Sequence, residues 1–383
     1  MRTGALLAFW GSAGLLLYGY AGYGLLLWIC ARFWPQRVER RDIRPRVSIV
    51  VVAFNEQARI ELRIRNLLAL DYPRELLEVI IASDGSTDDT VERARAFEQA
   101  VRVIVCPIRR GKPAVLNEVV PTALGDIVVL ADVRQSFDRS ALAMLVRNFA
   151  DPAIGAVSGA LVLRSAEPAA AASEGAAIYW ECEKLIRRCE SAVDSNIGVT
   201  GAIYALRREL YEPIPDDTIL DDVLIPMRIT RRGFRVLFDA DAKAFDRKMP
   251  AGDAELVRKV RTIAGNVQLF ARESWLLRPA ENRLWLQMIS HKALRLIFPV
   301  LYLVVLAANV ALIDDRFYAL ALAGQLAFYA TALIGYALPA ARFRARWLLL
   351  PYTVCFLSWA TILGVARYAA GHQQVTWQRA LTE

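Results

Sequence analysis

The chain has 383 residues, of which 56% are hydrophobic, and a formal net charge of +8. The apolar share exceeds the roughly 45–50% that is usual for soluble domains, so we expect a soluble part combined with membrane segments. Five cysteines without CxxC spacing and only two histidines argue against a disulfide framework, a zinc site or a His-rich metal centre. The basic excess has no basic–aromatic groove pattern beside it, which argues against a nucleic-acid partner.

Residues 4–31 form an uncharged, mostly apolar run that is long enough to cross a bilayer. The run is longer than the core of a signal peptide and precedes no small-x-small cleavage site, so we predict a transmembrane helix over residues 1–31 rather than a cleaved leader. By the positive-inside rule, the arginines that follow place this flank in the cytoplasm and the N-terminus outside. These arginines are Arg32, Arg37, Arg40, Arg41, Arg44 and Arg46.

Short Val- and Ile-rich runs then alternate with amphipathic helical stretches. Continuous apolar runs are typical of strands buried on both faces of a parallel sheet. Right-handed crossovers between such strands give a doubly wound, Rossmann-like arrangement. The predicted strands are 47–54, 77–82, 101–106 and 126–131, and the predicted helices are 56–70, 87–99, 113–123 and 139–150.

The last third of the chain returns to membrane character. Residues 273–292 mix tryptophan and leucine with arginine and lysine, which predicts an amphipathic helix in the headgroup region, with a plain surface helix as the alternative. Three apolar runs within residues 293–369 predict three further spans. They lie at about 293–313, 317–339 and 347–366.

The charges between these spans set their direction. Arg342, Arg344 and Arg346 place the second connection inside. The tail, residues 370–383, is therefore expected outside, although Arg367 and Arg379 favour the opposite side.

Polar side chains follow three of the predicted strands. Asn55 and Glu56 follow the first strand, Asp84 follows the second and Asp132 follows the fourth. Each one alone is also typical of an exposed loop. Because ligands bind outside the carboxyl ends of strands in such sheets, the three positions together indicate one shared site.

Six short segments resemble, in order, the motifs of glycosyltransferase family 2, the inverting GT-A group that includes bacterial polysaccharide synthases of the cellulose, hyaluronan and poly-N-acetylglucosamine synthase type. Their order and spacing carry the resemblance, since Asp-Gly-Ser alone is ordinary turn chemistry. The segments are Val52–Glu56 (P-x-Y-N-E), Ser83–Asp88 (D-D-G-S-x-D), Arg110–Asn117 (G-K-x-x-A-L-N), Asp132 (first position of D-x-D), Asp221-Asp222 (E-D) and Arg258–Arg261 (Q-x-x-R-W).

The resemblance implies an α/β GT-A domain with a mostly parallel, doubly wound sheet over residues 32–272. It also implies that Asp84 contacts the nucleobase and ribose and that Asp222 is the catalytic base. The donor-binding residues that it suggests are Asn55, Glu56, Asp84, Lys112, Asp132, Arg134, Arg258 and Arg261, and the acceptor-side residues are Trp180, Thr200, Gly201 and Asp221.

Several of these residues also have ordinary interpretations. Asp222 precedes a predicted helix, whose N-terminus would keep a carboxylate ionised, but an aspartate there could equally cap the helix. Arg258 and Arg261 could form a patch that touches anionic lipid. Trp180 could stack on a sugar, although a tryptophan on an amphipathic helix is more often core or interface.

The chain departs from the family pattern at two positions. Arg134 replaces the second aspartate of D-x-D, so Asp132 is the remaining carboxylate for a metal. We expect Mg²⁺ or Mn²⁺ there, because Mg²⁺ commonly binds through one or two carboxylates plus substrate phosphates. The alternative is that Arg134 neutralises the diphosphate directly. Thr262 stands where the family has the tryptophan that lines the acceptor site of processive synthases, which puts processive synthesis in doubt.

The predicted function is inverting transfer of a sugar from a nucleotide-sugar, by resemblance a UDP-sugar, to a polysaccharide or lipid-linked acceptor. The predicted location is a bacterial inner membrane, crossed several times, with the catalytic domain in the cytoplasm and with polysaccharide-export proteins as candidate partners. The alternatives are a non-processive transferase that adds one sugar to a lipid, and a catalytically silent nucleotide-binding subunit of a secretion complex.

Overall fold

The computed structural model describes residues 2–164, 172–247, 253–337 and 350–371. The chain divides into two compact units. The helical unit contains the described residues of 1–33, 167–189 and 249–373, and the sheet unit contains those of 34–166 and 190–248.

The sheet unit is built on one eight-stranded sheet with the order β3-β2-β1-β4-β7-β6-β8-β5. Its strands are β1 Val47–Ala53, β2 Leu77–Asp84, β3 Arg102–Cys106, β4 Ile127–Ala131, β5 Ser136–Phe137, β6 Ile154–Arg164, β7 Ile203–Arg207 and β8 Arg235–Arg247. Its helices are α2 Ile60–Leu68, α3 Thr90–Arg95, α4 Lys112–Val119, α5 Ala141–Val146 and α7 Asp221–Arg231, with 3₁₀ turns at Arg74–Leu76, Val120–Thr122, Arg147–Ala150 and Arg208–Leu210.

The first half of the sheet confirms the Rossmann-like prediction. Strands β3, β2, β1 and β4 are all parallel, and α2, α3 and α4 lie between them along the chain. The core agrees with the prediction of strands covered on both faces, since Val50 and Val129 are almost fully buried.

The second half of the sheet is mixed, where the sequence predicted a mostly parallel arrangement. Strand β7 runs antiparallel to β4, with Ala131 opposite Ile203 and Ile127 opposite Arg207. Strand β6 is antiparallel to β7 and parallel to β8, and the short β5 closes the edge antiparallel to β8. As a result, the carboxyl end of β4 lies beside the amino end of β7.

The described residues of the helical unit contain four helices that are long and apolar enough to cross a membrane. This agrees with the predicted arrangement of one N-terminal and three C-terminal spans. They are α1 Arg2–Phe33, α9 Trp285–Ala311, α10 Arg316–Ala337 and α11 Leu350–Ala369. The unit also contains α8 Asp253–Arg272 and most of α6 Ala172–Val193, which continues into the sheet unit.

Helices α1 and α9 both contain a π-helical segment and pack closely there. The segments are Tyr18–Gly22 and Ile289–Ala293, and the Tyr18 hydroxyl lies 2.7 Å from the Ser290 hydroxyl. A Cβ atom on Gly19 would lie only 2.4 Å from the Phe298 ring, so a larger residue there would require this ring to shift.

The predicted amphipathic helix over residues 273–292 is not one separate helix. A 3₁₀ turn at Ser274–Leu277 is followed by irregular chain, and α9 then begins at Trp285 and runs without a break into the apolar span. Asn282 explains the break, because its side chain donates to the carbonyl of Leu276 and accepts from the amide of Leu284, which ends one turn and starts the next helix.

A buried ion-pair cluster joins α6 to α9 inside the helical unit. His291 Nε2 lies 3.0 Å from Glu183 Oε1, and Arg187 and Arg295 lie 3.5 and 3.6 Å from the same carboxylate. Glu183 is buried, which raises the pKa of its carboxyl. The positive charges of His291, Arg187 and Arg295 outweigh burial and hold this pKa well below its ordinary value.

Several predictions fall outside the described residues or stay untested. Arg342, Arg344, Arg346, Arg379 and the tail lie outside the described ranges, so the direction of the connections stays a prediction. Helix α8 groups with the helical unit, where Ile263 packs against Gly364 of α11, and the predicted domain bounds of 32–272 stay a prediction.

Candidate active site

Asp84 ends β2 and is tied to the loop before α4. Its Oδ1 accepts a hydrogen bond from the amide of Arg110 at 2.7 Å, and its Oδ2 accepts one from the amide of Gly111 at 2.9 Å. Gly85 permits this approach, since it has a φ of +67° and a Cβ there would lie 2.5 Å from the amide nitrogen of Arg109. Asp84 therefore fixes the start of α4 and the position of Lys112 within it.

Asn55 and Glu56 lie on the neighbouring loop and bind the turn after β2. Asn55 has a φ of +53°, and its Oδ1 accepts a hydrogen bond from the amide of Thr87 at 2.8 Å. The amide of Glu56 donates to the hydroxyl of Thr90, and its carboxylate pairs with Arg59 at 2.9 Å. The loops after β1 and β2 are thus locked to each other at the carboxyl edge of the sheet.

Lys112 joins two of the predicted acidic residues. Its Nζ donates to Asp132 Oδ1 at 2.9 Å and lies 3.5 Å from Asp221 Oδ2. Burial of the ammonium lowers the pKa of Lys112, but attraction to Asp132 and Asp221 outweighs burial and raises this pKa above its ordinary value. Lys112 therefore stays protonated between the end of β4 and the start of α7.

Asp222 lies beside the loop that enters β7. A Cβ on Gly201 would be 3.4 Å from Asp222 Oδ2, and the amide of Val199 donates to the Asp222 carbonyl at 2.8 Å. Thr200 is held in turn by Ser158, whose Oγ accepts from the Thr200 amide at 2.8 Å. The cap of α7 is Leu220, so the suggestion that Asp221 or Asp222 caps this helix is wrong.

Arg134 is bound to a carboxylate from the far end of the sheet. Its Nε and Nη2 lie 2.9 and 2.8 Å from Asp246 Oδ2, and Gln135 Nε2 donates to the same oxygen at 2.8 Å. The Asp246 side chain is only 5% exposed. The guanidinium at the second D-x-D position therefore has an acidic partner of its own, on β8.

The donor set for a divalent metal is small. Asp132 is 31% exposed and shares one oxygen with Lys112, and the described residues contain no group of three or more His, Cys, Asp or Glu arranged for a metal. These residues fit an ion that takes one protein carboxylate and completes its shell with diphosphate oxygens and water, as Mg²⁺ commonly does.

The structure brings together part of the predicted set. Lys112 contacts Asp132 and Asp221 directly, and Asp84 is linked to them through the amide of Gly111, the residue before Lys112. Thr200, Gly201, Asp222 and Arg134 lie in the same unit. Arg258 and Arg261 belong to α8 of the helical unit, and the side chain of Trp180 lies outside the described positions, so their roles stay predictions.

Two buried residues near this site were not predicted. Tyr204 on β7 is fully buried, and its hydroxyl has no hydrogen-bond partner among the described residues. Burial and the negative charges of Asp221 and Asp222 raise the pKa of Tyr204 well above its ordinary value. The second is Arg63 on α2. Neither residue belongs to a motif. A tyrosine in a strand and an arginine in a helix are both common, so the sequence alone does not mark either one as a site residue.

Comparison with known proteins gives a consistent assignment. Residues 48–213 match the model of glycosyl transferase family 2. Poly-beta-1,6-N-acetyl-D-glucosamine synthase of Staphylococcus aureus is 25% identical over 199 residues, which cover 50% of this chain and 48% of that protein. Beta-monoglucosyldiacylglycerol synthase of Synechocystis sp. is 35% identical over 122 residues, which cover 30% of this chain and 25% of that protein. The chain thus spans about half or less of the length of these relatives.

The fold has a solved counterpart. The mannosyltransferase PcManGT from Pyrobaculum calidifontis, determined with GDP-Man and Mn²⁺, aligns over 94% of this chain and 99% of its own, with a TM-score of 0.71 and 23% sequence identity. At this identity the likeness concerns the fold alone. Residues 48–213 of this chain therefore match a glycosyl transferase family 2 domain, and the chain has the GT-A fold.

Proposed function

We propose that the chain is an inverting glycosyltransferase that moves a sugar from a nucleotide-sugar, a UDP-sugar, to a polysaccharide or lipid-linked acceptor. The observation that supports it best is the contact chain from Asp84 through Gly111 and Lys112 to Asp132 and Asp221. This chain of contacts joins Asp84, expected at the nucleoside, to Lys112 and Asp132, expected at the diphosphate. It ends at Asp221, the first residue of the helix that carries the expected base.

In this proposal Asp222 accepts the proton of an acceptor hydroxyl while that oxygen attacks the anomeric carbon. The bond from the anomeric carbon to the diphosphate oxygen breaks, and the leaving nucleoside diphosphate carries the negative charge. Lys112 and Arg134 offset that charge, because fixed cations stabilise charge that develops in a transition state. A divalent ion on Asp132 would add Lewis-acid stabilisation of the same oxygens when bound.

The proposed location is the cytoplasmic face of a bacterial inner membrane. The arginines between residues 32 and 46 follow the first apolar helix directly and support a cytoplasmic sheet unit by the positive-inside rule. Arg258 and Arg261 would then serve the donor from α8, and a polysaccharide-export protein would receive a polymeric product.

A second candidate is transfer of a single sugar to a lipid acceptor. Thr262 in place of the tryptophan of processive synthases favours it. So does the similarity of 122 residues to a monoglucosyldiacylglycerol synthase, a protein named for a lipid product. The length of the product made by purified protein separates the two candidates.

The test uses the full chain in detergent or nanodiscs with a panel of nucleotide sugars. Release of nucleoside diphosphate identifies the donor, and reactions with Mg²⁺, Mn²⁺ or chelator report the need for a metal. We expect Asp222→Asn to lower kcat by about 10²–10⁴-fold, the usual contribution of a positioned general base, with donor affinity kept.

Asp217→Asn is the matched control, since Asp217 is an exposed aspartate on the loop before the same helix. It should retain full turnover. Unchanged turnover in Asp222→Asn would contradict the assignment of the base. Nucleotide binding without turnover of any donor in the wild-type chain would favour the silent subunit instead.

A further inference from the structure

Arg63 occupies a position where the fold calls for an apolar side chain. The buried positions of α2 are Ile60, Arg63, Ile64 and Leu67, which share one face at helical spacing. Arg63 is 2% exposed and has the largest side chain among the fully buried residues of the described chain. A buried guanidinium is costly for a fold unless it is paired and hydrogen-bonded.

The contacts of Arg63 only partly compensate for this burial. Nη1 donates to Asn66 Oδ1 at 2.9 Å, and the guanidinium carbon lies 4.1 Å from the centre of the Phe137 ring. The Nε and Nη2 groups have no hydrogen-bond partner within the part of the chain that the structure describes. Packing alone would be served better by leucine or methionine, so this charge needs another explanation.

The position of Arg63 connects it to the site. Asn66 holds β5 through two hydrogen bonds with the backbone of Phe137, at 2.8 and 2.9 Å. Strand β5 ends the short segment that starts at Asp132 and contains Arg134. Burial lowers the pKa of Arg63 to about 9, and the attraction of Asp132 opposes this shift, so the guanidinium is charged at neutral pH.

We propose that Arg63 is a positioning residue for sugar transfer: its buried positive charge, set behind the segment 132–137, favours binding of the donor's diphosphate beside Asp132. The proposal rests on the proposed function. With Arg134 at the second D-x-D position, this side of the site has one carboxylate for a metal, together with the cations Lys112, Arg134 and Arg63. Part of the charge neutralisation that a metal would give thus comes from the chain itself.

The test compares Arg63→Met, which keeps length and loses charge, with Arg63→Lys, which keeps charge. Leu67→Met controls for repacking of the same helix face. In chelator, the Kd for UDP should rise by about tenfold in Arg63→Met, while Arg63→Lys retains most of the affinity. Binding of Mn²⁺ to the UDP complex, followed by electron paramagnetic resonance, should tighten in Arg63→Met because a nearby positive charge is gone.

Thermal stability gives a second readout. A structural role predicts a lower Tm for Arg63→Met than for Leu67→Met, whereas our proposal predicts a Tm equal to or above the wild-type value, since the fold loses an incompletely paired buried charge. A lower Tm with unchanged UDP affinity would overturn the inference. If the wild-type chain binds neither UDP nor GDP, the proposed function fails first. If it binds UDP but Arg63→Met binds it equally well, only this inference fails.

Discussion

Replacing Lys112 with methionine should destabilise the sheet unit strongly. The substitution removes the ammonium that lies 2.9 Å from Asp132 and 3.5 Å from Asp221, and it leaves both carboxylates without this cation. Lys112 and Asp221 are 13% and 14% exposed, so solvent screens their interaction little.

The size of the effect follows from these distances. At an effective dielectric constant of about 20, the two attractions amount to roughly 5–6 and 4–5 kcal/mol, before the cost of removing three charged groups from water. Removing one partner of a buried pair typically costs about 3–5 kcal/mol. Because Asp132 is 31% exposed, we expect about 3 kcal/mol, or a fall in Tm of roughly 6–12 °C for a unit of this size.

The assay is thermal unfolding of the full chain followed by intrinsic fluorescence. Lys243→Met removes an exposed lysine of the same unit and should leave the Tm nearly unchanged. Adding Asp132→Asn to Lys112→Met should restore about 1–2 kcal/mol, because it removes one of the two uncompensated carboxylates. Equal Tm values for the two lysine variants, or no recovery in the double variant, would refute the reasoning.

Two further predictions concern the other buried charge cluster and the loop at Asp84. Glu183→Gln should lower the free energy of unfolding by about 3 kcal/mol, measured in denaturant, because it leaves the cations around this buried position without their carboxylate. Since the pKa of Glu183 lies well below its ordinary 4.5, its stabilisation is complete above that value and is lost as the pH falls through the depressed pKa, so the difference between variant and wild type should shrink only in acid. Gly85→Ala should displace the loop that Asp84 holds and so weaken UDP binding, measured by calorimetry. Gly233→Ala is the control, because Gly233 has a φ of +93° and open space around it, so the substitution adds backbone strain alone and UDP should bind normally. Equal UDP affinities of the two variants would contradict the role of the close approach at Gly85.

The first half of the sheet, β1 to β4 with the helices between them, was predictable because its local hydrophobic patterns agree with the final fold. Its strands are continuous Val and Ile runs, and its helices start and end within a few residues of the predicted bounds. The polar residues at the strand ends needed only the rule that parallel strands end at one edge. Asp84 and Asp132 are linked through Lys112 and the loop before it for this reason.

The remaining features depend on contacts that no local pattern records. Strand β7 pairs with β4, although two strands lie between them along the chain. Arg134 pairs with Asp246, which lies 112 positions later. Arg63 lies on the buried face of α2, among Ile60, Ile64 and Leu67. An arginine in an amphipathic helix is normally expected on the exposed face. The break before α9 arises from hydrogen bonds of the Asn282 side chain, which composition does not reveal.

The antiparallel pairing of β4 with β7 joins an early part of the chain to a later part. Apart from Arg258 and Arg261 of α8, the residues proposed to hold the nucleotide precede Phe137, and the loop and helix proposed to meet the acceptor follow Ile154. A recombination point between these two positions would exchange the proposed acceptor side while the nucleotide residues of the first part stayed in place. The pairing of β4 with β7, the pairing of β5 with β8 and the contact of Arg134 with Asp246 all cross this point, so a hybrid chain would have to preserve each of them.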